Sequence, residues 1–139
     1  MGSAEGEGAR PAPEPNEDSR AFWEAVGRHQ LLIQKCSSCG TLRLYPTHLC
    51  ADCLAGSFES VVCSGKGTIY SFTVIHRAPL PAFADSVPYT VALIDLDEGP
   101  RMLSEVKGPP AAMRVGARVE AVFEDAGAGV TLPKFILGR

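Results

Sequence analysis

The chain has 139 residues, of which 45% are hydrophobic and 21% charged, and its net charge is −3. That is one domain, or a small domain with an appendage, and too little for a full-sized barrel enzyme or dehydrogenase. No apolar run approaches the roughly 20 residues of a membrane-spanning helix and no signal-peptide core is visible, so a soluble cytoplasmic protein without a membrane partner is expected.

Residues 1–17 are expected to form a flexible tail or a linker. Gly, Ala, Pro and Glu dominate there, and such a composition buries too little apolar surface to offset ordering. The run Pro-Ala-Pro-Glu-Pro also suits a linker cut from a longer polypeptide. Glu5, Glu7, Glu14, Glu17 and Asp18 against Arg10 and Arg20 place the whole net charge in residues 1–20. The remainder is balanced, without the positive footprint through which phosphate contacts supply nucleic-acid affinity.

A helix follows, capped by Asp18 or Ser19, with Phe22, Trp23 and Val26 on one face and Gly27 closing it near His29. Short strands at residues 30–35 and 41–45 flank Cys-Ser-Ser-Cys-Gly. Pro46 breaks the chain before a second Cys-x-x-Cys. From Phe58 the pattern is all β, with candidate strands at 58–63, 68–76, 89–96, 101–107, 118–123 and 130–137. Ser64-Gly65-Lys66-Gly67, Asp97-Glu98-Gly99-Pro100 and Gly127-Ala128-Gly129 are turn signals between them. The predicted fold is mainly β: an N-terminal helix and zinc ribbon over residues 18–57, then a five-stranded OB-fold barrel over 58–139.

The cysteines carry the strongest chemical signal. Cys36-x-x-Cys39 and Cys50-x-x-Cys53 place two thiol pairs at tight turns, ten residues apart, and Gly40 follows the first pair where positive φ is commonly needed. Two facing knuckles supply four sulfurs at tetrahedral corners, the geometry zinc takes. Iron uses the same spacing, and disulfides are the competing reading in an oxidising compartment. Four sulfur ligands leave no open position, so the ion is structural. Lys35 and Arg43 are candidates to offset the charge of the thiolates, and His48 reads as a surface residue. Cys63 lies on an apolar strand and reads as a small buried hydrophobe; a catalytic thiol there needs a base, for which His76 is the downstream candidate.

Other chemistry is absent. A phosphate loop ending at Gly65-Lys66 requires Gly at position 60, which is Ser60. A calcium loop starting at Asp95 requires an acid at position 106, which is Val106. No hydrolase, zinc-protease or dinucleotide motif is present, so the chain alone is expected to be without catalytic residues.

Several segments together are specific: Phe22-Trp23; Leu32-Ile33-Gln34-Lys35 before the first cysteine pair; Tyr45-Pro46; Gly67-Thr68-Ile69-Tyr70-Ser71-Phe72; and Pro88-Tyr89-Thr90-Val91. In this order the chain resembles the family labelled domain of unknown function 35, acyl-CoA-associated OB-fold proteins with a rubredoxin-like zinc ribbon. The resemblance covers residues 18–137. It implies a non-catalytic accessory subunit of a thiolase-superfamily enzyme, with structural zinc on Cys36, Cys39, Cys50 and Cys53 and acyl-CoA bound together with the partner. Among such partners are sterol-carrier-type thiolases acting as retro-aldolases in steroid side-chain degradation, and a hot-dog-fold enoyl-CoA hydratase, fused or separate. Phe22 and Trp23 on the helix, with Arg77 and Phe83 on the proline-rich connection 77–88, are the candidate docking residues. The alternative is a single-stranded nucleic-acid module with Tyr70 and Phe72 on one strand face, against which the balanced charge weighs. A third reading, an iron electron carrier, leaves the barrel unexplained.

Overall fold

The computed structural model describes residues 10–138. Of the expected tail, residues 1–9 lie outside that range, and residues 10–16 form neither helix nor strand. Arg10 reaches the connection 77–88, with its guanidinium 4.6 Å from the Phe83 ring centroid and a hydrogen bond to Ser86.

Helix α1 (Arg20–Gly27) buries Ala25 and Val26 and packs Phe22 against the core. The expected side-chain cap is not made. Ser19 occupies the cap position, but its hydroxyl accepts the Asn16 N–H at 3.0 Å while its own N–H donates to Asn16 Oδ1 at 2.9 Å. The helix ends at Gly27 as expected, and the left-handed turn that follows falls on His29, with φ at 62°.

Strand β1 (Leu32–Cys36) pairs on either side with β2 (Leu42–Arg43) and β3 (Phe58–Val62), both antiparallel. Here the expected boundary at residue 58 moves. β3 was expected to open the barrel, but it follows β1 in unbroken register from Leu32↔Val62 to Cys36↔Phe58 and completes the ribbon sheet. Pairing decides this: the N–H of Cys63 still bonds to Leu31 O at 2.8 Å, so the chain leaves the ribbon only after Cys63.

The remaining strands are β4 (Lys66–Ile75), β5 (Tyr89–Leu96), β6 (Arg101–Lys107), β7 (Arg118–Asp125) and β8 (Thr131–Leu137). They close in the order β4-β5-β6-β8-β7, the five-stranded barrel that was expected. β5 alternates half-buried and buried residues along its whole length, sending Thr90, Ala92, Ile94 and Leu96 inward to meet Ile69, Val106, Val119 and Phe135. Gly67 allows β4 to serve two neighbours, pairing with Leu96 of β5 and Val119 of β7. A Cβ at that position would lie 2.6 Å from the Asp95 carbonyl oxygen.

Ribbon and barrel share one core. Leu31, Ile33, Leu44 and Cys63 belong to the same buried cluster as the barrel interior. The His29 ring stacks on Phe123 of β7 at 5.2 Å, and the Tyr45 hydroxyl accepts the Leu103 N–H of β6 at 3.0 Å.

Candidate metal centre

The two cysteine pairs fold into the same local structure. Cys36 and Cys50 each accept, at 2.9 Å, an N–H from the residue four positions on, Gly40 and Leu54 respectively. Both of those residues are left-handed, with φ of 78° and 63°. Glycine makes this readily; leucine carries a steric cost, and Leu54 is 72% exposed. The N–H groups of Cys36 and Cys50 in turn donate to Thr41 O and Ala55 O, each at 2.9 Å.

These knuckles face one another. Cys36 Sγ lies 3.6 Å from Cys53 Sγ, and Cys39 Sγ 3.7 Å from Cys50 Sγ, with all four sulfurs within 4.8 Å. Zinc–sulfur bonds of about 2.3 Å on tetrahedral corners require sulfur–sulfur edges of about 3.8 Å. The cluster therefore fits a single tetrahedral ion. Cys36 and Cys50 are buried and Cys39 and Cys53 exposed, so the site lies at the ribbon's surface. All four are free thiols, not disulfides.

Electrostatics support the same reading. The backbone N–H groups of Cys39 and Ser38 hold the Cys36 thiol down at about 6, and the Thr41 hydroxyl and N–H lower Cys39. The Ala55 N–H favours a Cys53 thiolate, but its hydrogen bond with Cys36 and burial outweigh that and push it up to about 12. Four close thiols resist joint ionisation, and a divalent cation among them removes the conflict. Lys35 and Arg43, candidates for charge compensation, are engaged elsewhere: Lys35 lies 3.9 Å from Glu59, and Arg43 donates to Gln34 Oε1 at 2.6 Å. Backbone N–H groups do that work at the sulfurs.

One polar neighbour of the cluster escaped the sequence. Thr41 Oγ1 sits 3.1 Å from Cys39 Sγ and donates to Asp52 Oδ2 at 2.8 Å, linking the two knuckles. A threonine after Cys-x-x-Cys-Gly and an aspartate inside the second pair are visible in sequence, but their pairing exists only once the knuckles face. His48 is an exposed residue 3.3 Å from Asp18, as expected. Cys63 is buried, and burial together with Glu98 pushes its thiol up to about 12, which makes it a poor nucleophile.

The four candidate docking residues divide in two. Phe22 and Trp23 meet edge to face at 5.2 Å on α1, with Phe22 packed on the core and Trp23 half-buried. Arg77 is exposed just after β4, while Phe83 is half-buried in a 3-10 turn, 6.1 Å from Tyr89. Tyr70 and Phe72 do not share a face as expected. A bulge between Ile69 and Ser71 turns Tyr70 outward, whereas Phe72 packs on the core. A cleft of about 200 Å³ lies between α1 and the ribbon sheet, walled by Phe22, Leu32 and Phe58 and rimmed by Glu17 and Asp18. It is small for a cofactor, and its rim repels phosphates. No helix among the described residues is long and apolar enough to cross a membrane.

Two family models match the chain: "ChsH2, rubredoxin-like zinc ribbon domain" over residues 23–59 and "ChsH2, C-terminal OB-fold domain" over residues 60–124. A probable enoyl-CoA hydratase alpha subunit of Thermomonospora curvata is 37% identical over 127 residues, 91% of this chain and 39% of that protein. A DUF35 domain-containing scaffold protein of Methanocaldococcus jannaschii is 36% identical over 75% of this chain and 74% of its own length. The benzoylsuccinyl-CoA thiolase subunit BbsA of Geobacter metallireducens is 31% identical over 62% of this chain and 56% of its own. Among solved structures, a chain of the Ltp2-ChsH2(DUF35) aldolase superposes with a TM-score of 0.82 at 36% identity, covering 90% of this chain and 98% of that one. The chain spans about two fifths of the length of the hydratase subunits it matches.

Proposed function

The chain belongs to the ChsH2-type family that joins a rubredoxin-like zinc ribbon to an OB-fold barrel, and from that premise we propose that it is a non-catalytic accessory subunit of a thiolase-superfamily acyl-CoA enzyme. The observation that carries this reading is the likeness, over nearly the whole of both chains, to a chain of the Ltp2-ChsH2(DUF35) aldolase. The enzyme it serves is a sterol-carrier-type thiolase that cleaves an acyl-CoA by a retro-aldol reaction in steroid side-chain degradation. A hot-dog-fold hydratase is a second partner, a reading supported by the hydratase subunits among the relatives.

In this reading the ion on Cys36, Cys39, Cys50 and Cys53 is zinc, and it is structural. Bound there, it supplies rigidity and no open coordination site. The free thiols suit a reducing compartment, the cytoplasm. Phe22 and Trp23 on α1, with Arg77 and Phe83 on the connection 77–88, contact the partner, and acyl-CoA is held with the partner's help, its phosphates near Arg77. The barrel offers nucleic acid little: Arg101 and Arg118 are matched by Asp95 and Asp97 at 2.6 Å and 2.8 Å.

Co-expression tests the reading. The chain is expected to co-purify with a thiolase-superfamily protein and to raise its acyl-CoA cleavage, while showing no turnover alone. A chain that stays monomeric beside that protein, and instead binds single-stranded nucleic acid with a steep salt dependence, sinks it.

A further inference from the structure

We propose that the outer face of β6, where Tyr45 and Tyr70 flank Arg101 and Leu103, is a further surface that seats the thiolase-superfamily partner, beside the α1 and 77–88 contacts; this rests on the accessory-subunit reading above. The face is apolar where the fold does not require it. Tyr45, Tyr70 and Leu103 are 59%, 50% and 56% exposed. Arg101 and Leu103 alternate with the buried Met102, so both project outward from the barrel. Tyr70 joins them because the bulge in β4 aims it outward, while Ile69 beside it is buried.

Arg101 is fixed before any partner arrives. Its guanidinium lies 3.5 Å from the Tyr70 ring centroid, and Nε and Nη2 donate to Asp95 Oδ1 and Oδ2 at 2.6 Å and 3.4 Å. A side chain already held in place loses little freedom on binding. Tyr45 extends the strip onto the ribbon, since its hydroxyl accepts the Leu103 N–H at 3.0 Å. The result is a strip spanning both modules and rich in tyrosine and arginine, the residue types that dominate interface energies.

Charge selects the occupant. Asp95 neutralises Arg101, so a polyanion gains little here. Asp95 nevertheless engages only Nε and Nη2, and Nη1 makes no hydrogen bond among the described residues although the side chain is 45% exposed. The complementary surface is therefore a protein face with an apolar seat for Leu103 and the two tyrosine rings, and with one carboxylate or carbonyl oxygen for Nη1.

The test uses the full zinc-loaded chain and its co-expressed thiolase-superfamily partner. The variants are Leu103→Glu and Tyr70→Ala, with Val62→Glu as a control. Val62 is 52% exposed on β3, at the far edge of the ribbon sheet from β2. Partner affinity is measured by calorimetry, with melting temperature and zinc content as checks of folding. Leu103→Glu and Tyr70→Ala are expected to weaken binding about 30-fold or more, and Val62→Glu less than about 3-fold. Should Leu103→Glu fail the folding checks, Arg101→Ala replaces it. If the wild type binds and the strip variants bind equally well, the face is wrong while the accessory reading stands. If the wild type does not bind at all, both fall. If the isolated chain dimerises and the strip variants abolish only that, the strip joins copies of the chain and the assignment is overturned.

Discussion

Removing the ion is the most informative perturbation of this protein. Structural zinc in small cysteine and histidine sites binds with about 10–16 kcal/mol of apparent free energy at neutral pH. That rivals the roughly 5–15 kcal/mol by which a whole domain is stable. The ribbon has little to set against its loss. β2 contributes two residues, and Leu54 is held left-handed only by the knuckle it closes. The barrel has its own closed sheet and its own interior of Ile69, Ile94, Val106, Val119 and Phe135. Dialysis against a strong chelator is therefore expected to unfold residues 32–62 and to leave residues 66–137 folded but less stable, since Leu31, Ile33 and Leu44 leave the shared core. Native mass spectrometry should count one zinc per chain before chelation. Hydrogen exchange should then show protection lost at the Cys36, Gly40, Cys50 and Leu54 N–H groups and retained along β5. A metal-free chain that keeps ribbon protection, or a purified chain with no stoichiometric metal, refutes the reasoning.

Three further outcomes follow from particular contacts. Gly67→Ala places a Cβ 2.6 Å from Asp95 O and 2.8 Å from Ile94 Cγ2, and neither can retreat without parting β4 from β5; a loss of about 2 kcal/mol or more is expected in urea unfolding, and a neutral result would mean the strands shift freely. Glu124 is held at about 2 by hydrogen bonds from Lys107 and Lys134. A carboxylate lowered on folding stabilises above its unfolded value of 4.5, and that stability is lost as pH falls toward 2. The shift corresponds to about 3 kcal/mol, or about 1–2 after screening of a side chain 31% exposed. Lys134→Met should therefore move the acid-induced loss of stability upward in pH, and an unmoved acid limb in thermal melts would reject the pairing. Thr41→Val removes the hydroxyl beside Cys39 Sγ without changing side-chain shape, and zinc affinity in chelator competition should fall about 10–100-fold and return in Thr41→Ser. Equal affinity in all three proteins would show that the hydroxyl does not position the sulfur.

Much of this architecture was legible because its signals are local. The turn signal Asp97-Glu98-Gly99-Pro100 bounds β5, and two Cys-x-x-Cys pairs mark facing knuckles whatever lies between them. What sequence could not place was the choice of pairing partner. Phe58–Val62 has the composition of a first barrel strand, yet the free edge of β1 claims it. Tyr70 and Phe72 alternate as if on one face, but a bulge between Ile69 and Ser71 separates them. Leu54 hid the symmetry of the second knuckle, because a leucine gives no sign of positive φ. Thr41 and Asp52, eleven residues apart, meet only through the metal site.

The coupling between ribbon and barrel gives the ion a role beyond its own knuckles. Tyr45 follows β2 closely and reaches β6 through one hydrogen bond, and His29 precedes β1 and stacks on β7. Leu31, Ile33 and Leu44 lie between those two links, inside the common core. Whatever fixes the ribbon sheet therefore fixes Tyr45 against Leu103. On the docking proposal above, no sulfur need touch a partner for an ion on the four cysteines to matter: it would hold in register a strip whose two ends come from different modules. Under the accessory-subunit proposal, the contribution of the chain is shape maintained at low entropic cost.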